Sequence, residues 1–206
     1  MRYTGPRNRI ARRRGVDLEL KTVGSKNHAR LLNKLGVLPG QHSTRGRRKV
    51  SDHGKQLDEK QKLRFIFGVN ESKMKSYFKT AKKASANTGL ILSQLLERRL
   101  DNTVYRLGFA PTRAAARQLV VHKHILVNGK LMNSPSYQTR VNDEVGFKHE
   151  ATKEIPAIAA TLQKTDLIMP SWLERKEFTG KIAALPTAEM VEKQINLRFV
   201  IEFYSR

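Results

Sequence analysis

Between Gln56 and Leu107 apolar positions recur every three or four residues; beyond residue 124 the period shortens to that of strands. "QLDEKQKLRFIFG" predicts a helix closed by Gly68, a residue suited to the left-handed turn past a helix end. "NESKMKSYFKTAKKA" predicts a second, with Asn70 as its N-cap and Met74, Tyr77, Phe78 and Ala81 at helical spacing. "SANTG" (Ser85 to Gly89) reads as a linker. It leads into one long amphipathic helix from about Leu90 to Leu107, whose stripe is Leu92, Leu96, Leu100 and Val104. Thr112 is an N-cap for a short helix opening at Arg113, and "HILV" and "KLMN" then flank Asn128-Gly129, a strong hairpin signal. "YQTRV", "ND" and "EVGF" predict another hairpin. Residues 151–195 are mixed, with "PSWLE" and a helix "TAEMVEKQI", and the β-branched and aromatic "LRFVIEFYSR" predicts a closing strand. The first fifty residues, rich in Gly, Ser and Asn, lack sustained periodicity. They read as an extended arm, with "ARLLNKLG" (Ala29 to Gly36) as a short helix within it.

Charge changes this picture. Forty Lys and Arg stand against eighteen Asp and Glu in 206 residues, a formal net charge of +22. Residues 1–50 carry fourteen bases against two acids (+12), residues 51–150 eighteen against nine (+9), and residues 151–206 eight against seven (+1). Such self-repulsion suits a chain whose working state lies on a polyanion, and it argues against an ordinary small-molecule enzyme. Cysteine is absent, which excludes disulfides, thiolate nucleophiles and cysteine-ligated zinc. No secretory-type apolar run opens the sequence and no stretch approaches about 18 apolar residues, so no membrane is expected and a reducing cytoplasm is the simplest setting.

The cations also form a pattern. Arg113 stands at the positive end of a helix dipole, a poor place for a cation unless an anion is near. Arg117 lies one turn on, with Ala115, Ala116, Leu119 and Val120 on the opposite arc. On the preceding helix Arg98, Asn102 and Arg106 make an i, i+4, i+8 row with Arg99 beside it. Lys123 and Lys130 extend the positive surface, with His122 and His124 close by. Phosphate is the anion this arrangement predicts, held by helix-end amides and arginine forks. Alanine at Arg113 or Arg117 is then expected to weaken binding of the polyanion and spare the fold.

"LLERRLDNTVYRLGF" followed by "TRAAARQLVVHKHILVNGK" resembles the helix-helix-hairpin RNA-binding module named after ribosomal protein S-four. "PGQH" (Pro39 to His42), "SDHGKQLDEKQKLRFIFGV", "SYQTRVNDEV" and "EFYSR" extend the resemblance to that protein's bacterial form, weakest over residues 150–190. It implies an α+β fold: a mainly helical domain and an RNA-binding domain of helices packed on a small antiparallel sheet, with the extended basic N-terminal arm. The expected division is residues 1–50 for the arm, 51–89 for the helical domain (completed by about 186–206), and 90–185 for the domain holding the module, core 95–150. It implies a structural protein of the small (30S) ribosomal subunit that binds the 5′ domain of 16S rRNA and nucleates assembly. It would touch ribosomal proteins S-three and S-five where mRNA enters and decoding fidelity is set, in the cytoplasm or in an organelle. Matched by position, and taken with the arginine row, the rRNA-facing set is Arg98, Arg99, Arg106, Thr112, Arg113, Arg117, Gln118, His122, Lys123, Asn128 and Lys130, with Asn128 equally explained by its turn. Arm contacts fall to Arg2, Tyr3, Arg7, Arg12, Arg13, Arg14, Arg45, Arg47, Arg48 and Lys49.

Many members of that family carry a four-cysteine zinc site near the N-terminus. This chain has no cysteine, and His28, His42 and His53 are too few and scattered to replace one, so a zinc-free form without cofactor is expected. RNA-modifying enzymes share the module, and pseudouridine synthases use an aspartate in the tripeptide found here as Arg99-Leu100-Asp101. Here the tripeptide sits within helical periodicity, so Asp101 is read as a partner for arginines and no catalysis is expected. A stand-alone RNA chaperone would not need residues 51–83 or the C-terminal segment.

Overall fold

The structure, a computed structural model, describes residues 3–41, 49–84, 86–163, 169–187 and 195–205. The chain divides into two compact units, Met1–Leu92 with Ala188–Arg206, and Ser93–Thr187. Helices and one antiparallel sheet confirm the α+β class.

In the first unit the expected arm is helical in two places: α1 (Arg7–Arg14), where none was expected, and α2 (Lys26–Leu32), which overlaps the short helix expected over Ala29 to Gly36 but starts three residues earlier. Gly15, at φ 69°, closes α1 by donating to Ala11 and Arg12 carbonyls, and Ser25 caps α2 through the His28 N–H. Ile10, Ala11, Leu18 and Leu31 are buried. Four apolar anchors among so many cations are too sparse to register as a period, which is why the segment reads as loop. The arginines help to fix it: Arg7 donates to the Leu20 carbonyl, and Arg12 donates to those of Val37 and Leu38.

Helix α3 (Asp52–Ile66) starts four residues before the expected Gln56, because the Ser51 hydroxyl caps it at the Gly54 N–H. Helix α4 (Glu71–Lys83) begins after Asn70 and buries Met74, Tyr77, Phe78 and Ala81, as expected. The closing "LRFVIEFYSR" is a helix, Leu197–Ser205, and not a strand. Its Leu197, Val200 and Tyr204 recur at i, i+3 and i+7, and the Asn196 side chain caps the Arg198 N–H. Tyr204 stacks on Phe78 at 5.1 Å, Lys60 Nζ lies 4.6 Å from the Phe203 ring centre, and Gln56 donates to Glu202 at 2.9 Å. Tertiary contact of this kind overrides a β-leaning composition. The expected helix "TAEMVEKQI" lies almost wholly outside the described residues.

Tyr204 also donates its hydroxyl to Glu71 at 2.8 Å. Burial, and then the Glu71 carboxylate, push the phenol's pKa up. Burial pulls the Glu71 carboxyl upward, but Tyr204, Lys60 and Arg64 together outweigh it and leave its pKa lowered. A lowered acid stabilises the fold above its ordinary value, 4.5, and that contribution fades as pH falls through the folded pKa. A raised phenol stabilises below its ordinary value, 10.0, and its contribution fades as pH climbs. Tyr204→Phe is thus expected to lower the neutral-pH stability of this unit by about 1–2 kcal/mol and to remove the alkaline decline, as read by denaturant midpoints from acid to alkali.

The second unit begins within α5 (Thr88–Glu97), which stops where the sequence predicted continuation. Arg99 is extended (φ −65°, ψ 135°) and bridges to Gln138, after which α6 (Leu100–Arg106) resumes. The Leu100 and Asp101 N–H groups donate to Tyr137 and Pro135 carbonyls, and the Thr139 N–H donates to Arg98. Because the apolar spacing of four persists across the break, periodicity alone cannot see it. The same pairing takes "YQTRV" away from its expected hairpin.

Helix α7 (Arg113–Val121) follows, with Thr112 accepting from the Ala115 N–H. The sheet comprises β1 (Ile125–Val127), β2 (Lys130–Leu131), β3 (Glu144–Phe147), β4 (Leu173–Lys176) and β5 (Thr179–Ile182), antiparallel in the order β2-β1-β3-β5-β4. Asn128 and Gly129, both at positive φ, make the β1–β2 turn as expected. The strands β4 and β5 and helix α8 (Pro156–Leu162) lie where the sequence showed only a mixed segment. Phe109, Leu107, Val120, Ile125, Val145, Trp172 and Ile182 share one core, and Trp172 is a packing residue. A Cβ on Gly180 would lie 2.4 Å from both methyls of buried Leu107. Gly180→Ala is expected to destabilise this unit by about 1–3 kcal/mol, measurable by thermal melting.

Candidate nucleic-acid interface

Two carboxylates organise the arginines of α5 to α7. Glu97, with its side chain 1% exposed, receives Arg106 through two bonds, 2.8 and 3.2 Å, and Asn102 Nδ2 at 2.6 Å. Asn102 in turn accepts from Arg113 Nε at 2.9 Å, and the Arg113 guanidinium lies 4.5 Å from the Tyr105 ring centre. Asp101 receives Arg99 through two bonds, 3.0 and 2.6 Å, and Arg117 at 3.3 Å. The Arg106–Glu97 and Arg99–Asp101 pairs are bidentate, charge-assisted contacts in a dry setting, where geometry is held tightly.

This changes the role of several expected RNA contacts. Arg99 is 2% exposed and Arg113 is 8% exposed, so both are buried inside the fold, with Thr112 beside them as a cap. What makes Arg113 tolerable at its helix start is an amide oxygen and an aromatic face. Its replacement is therefore expected to harm the fold, contrary to the sequence expectation. Arg106 is largely buried on Glu97, and Arg98 donates to the Thr139 carbonyl at 2.8 Å. The row Arg98, Asn102, Arg106 does not lie along one helix face, because the chain breaks at Arg99.

The accessible remainder is compact in sequence. Gln118, His122, Lys123, Asn128 and Lys130 are exposed, and the Arg117 side chain is 34% exposed, tethered from beneath by Asp101. His122 stacks near His124 at 6.4 Å, and His124 Nδ1 meets Thr152 at 3.0 Å. The Asn128 amide is committed to its turn: it donates to Asp143 at 2.8 Å and accepts from the Glu144 N–H at 2.8 Å. Sequence reasoning passed over Arg140 and Lys148, both exposed, and the organising Glu97. A signal for the latter existed: Glu97 and Asp101 are the only acids between Glu71 and Asp143, set among cations.

In the other unit, Arg7, Arg12 and Arg14 are engaged with protein partners, Arg14 with Asp58. Tyr3, Arg13 and Lys49 are exposed. The expected contacts at Arg2, Arg45, Arg47 and Arg48 lie outside the described residues. Among the described residues no group of three or more His, Cys, Asp or Glu side chains is placed to hold a metal, and His28 is bonded to Asp17 at 2.7 Å. No helix among them is long and apolar enough to cross a membrane.

The profile of the ribosomal protein S4/S9 N-terminal domain matches residues 2–97, and that of the S4 domain matches residues 98–145. Small ribosomal subunit protein uS4 of Akkermansia muciniphila is 48% identical, over all of this chain and 99% of its own length. The chain belongs to the uS4 family. The uS4 proteins of Aquifex aeolicus (46% identical, over 100% of this chain and 99% of theirs) and a Sulfurihydrogenibium strain (45%, over 99% and 98%) are similar to it in the same way. The uS4 family is one of structural ribosomal proteins and not of enzymes, which agrees with an Asp101 chelated between two arginines. The S4 domain boundary falls at Arg98, where α5 gives way to the Arg99 bridge, and ends in β3, leaving β4 and β5 outside it.

Proposed function

We propose that the chain is a structural component of the small ribosomal subunit that binds the 5′ domain of 16S rRNA and nucleates assembly there. It then lies beside ribosomal proteins S-three and S-five where mRNA enters, in the cytoplasm or an organelle. The observation that carries this reading is the exposed set Arg117, Gln118, His122, Lys123 and Lys130, standing on a rigid buried network in a +22 chain. Lysines and arginines neutralise phosphates, while Gln118 and His122 can bond to sugar or base edges. The interface residues are Arg117, Gln118, His122, Lys123 and Lys130, while Arg98, Arg99, Arg106, Thr112 and Arg113 hold them in place.

The test is a salt titration of binding to a 16S 5′-domain fragment, with scrambled RNA and duplex DNA as competitors. A protein neutralising about six to ten phosphates loses several decades of affinity over a fourfold rise in salt. Preference for the native fragment that persists at high salt is the expected result. Equal binding to all three nucleic acids would overturn the reading.

A further inference from the structure

The first unit holds a concave site that the arginine network of the S4 domain does not use. Tyr3, Arg9, Ile10, Arg13, Arg14, Gln61, Arg64 and Phe65 line a pocket of about 460 Å³, within the range of small-ligand sites. Its chemistry is uneven. Arg9 and Arg13, one turn apart on α1, are exposed and have no carboxylate or carbonyl partner among the described residues. Tyr3 and Phe65 meet edge to face at 5.7 Å, and the Arg64 guanidinium lies 4.7 Å from the Phe65 ring centre. In the same lining, Gln61 Oε1 and Arg14 Nε are buried without a hydrogen-bond partner, one acceptor and one donor left over.

We propose that this pocket takes a single unstacked nucleotide of an RNA strand, with phosphate on Arg9 and Arg13 and the base against the Tyr3–Phe65 edge. Two uncommitted arginines one helical turn apart suit a phosphate, and an aromatic edge beside a guanidinium plane suits a base face. An acidic peptide would satisfy the arginines but would not use the rings. Gly5 leaves room for that ring of Tyr3, since a Cβ there would lie 2.6 Å from the Tyr3 hydroxyl and the ring would have to shift. This rests on the RNA-binding reading and adds to it a discrete subsite in the unit outside the S4 domain.

The test uses the full-length chain and a short single-stranded RNA carrying 5-iodouridine, cross-linked by light and mapped by mass spectrometry. Cross-links to Tyr3 or Phe65 are expected, suppressed by unlabelled single-stranded RNA and not by an equal concentration of duplex RNA. Arg9→Ala with Arg13→Ala is expected to weaken binding of the oligomer at least tenfold. Lys75→Ala with Lys79→Ala, which removes the same charge from the exposed face of α4, is expected to change it less than threefold. Suppression by free uridine monophosphate at micromolar concentration would show that the pocket serves a free nucleotide, and that result would overturn the strand assignment. Cross-links confined to residues 93–187, equal losses in both double variants, or displacement of the probe by an acidic peptide as readily as by RNA would overturn the pocket itself. Each of those outcomes is compatible with tight binding to the 16S fragment, so the subsite can fail while the RNA-binding reading stands.

Discussion

Asp101→Ala is expected to destabilise the Ser93–Thr187 unit by about 3–5 kcal/mol, the usual cost of removing one partner from a buried charge pair. Asp101 is itself buried, and it holds Arg99, 2% exposed, through two bonds, so the variant deprives a dry guanidinium of its carboxylate. For a unit of this size such a loss approaches the whole stability, and urea midpoints read by circular dichroism would show an early transition. The companion variant Arg99→Met with Asp101→Leu separates fold from function. Replacing both charges by apolar groups of similar volume is expected to recover most of the stability. It still leaves Arg117 without its tether, so RNA affinity is expected to stay reduced by about three- to tenfold, the worth of about 1 kcal/mol of positioning. A single Asp101→Ala variant that melts with the parent would show that the clamp is not what holds α6.

Replacing Arg117, Lys123 and Lys130 together by alanine is expected to act in the opposite manner. All three reach solvent, so the melting temperature should change little, by the equivalent of about 1 kcal/mol or less. If each neutralises one phosphate, the log–log salt slope for binding the 16S fragment falls by about 2–3, and affinity at low salt drops by about a hundredfold. Arg113→Ala provides the contrast: an unchanged slope with lowered stability, because its partners are Asn102 and Tyr105 inside the protein. The exposed interface would be disproved by a triple variant that retained the parental slope.

The helices α3, α4 and α7 and the β1–β2 hairpin were legible because each announces itself locally: Asn70 and Thr112 as caps, Gly68 and Asn128-Gly129 at positive φ, and apolar residues at one fixed spacing. The features that escaped are decided by distant partners. Nothing between Leu90 and Leu107 marks the break at Arg99, since the groups that satisfy its backbone lie at residues 135–139. The C-terminal helix looks like a strand until Phe78, Lys60 and Glu71 are present to receive it. The same holds for the site. Residue type marked the arginines as a group, but which of them face water depends on Glu97 and Asp101, and a count of cations cannot distinguish a guanidinium aimed at phosphate from one consumed by a carboxylate.

The order in which the chain is made has a consequence for the unit that holds α1 to α4. Its segments Met1–Leu92 and Ala188–Arg206 are separated by all of Ser93–Thr187, and Leu197–Ser205 supplies the partners of Phe78 and Glu71. During synthesis, therefore, the whole Ser93–Thr187 unit, sheet included, is complete while the apolar side of α3 and α4 still waits for its last helix. The later-made unit of sequence matures first, and the earlier one remains an unfinished intermediate, exposed to aggregation until the C-terminal residues arrive. Its premature exposure should be greatest in chains interrupted between residues 188 and 196, which would carry a finished RNA-binding surface together with an unfinished first unit.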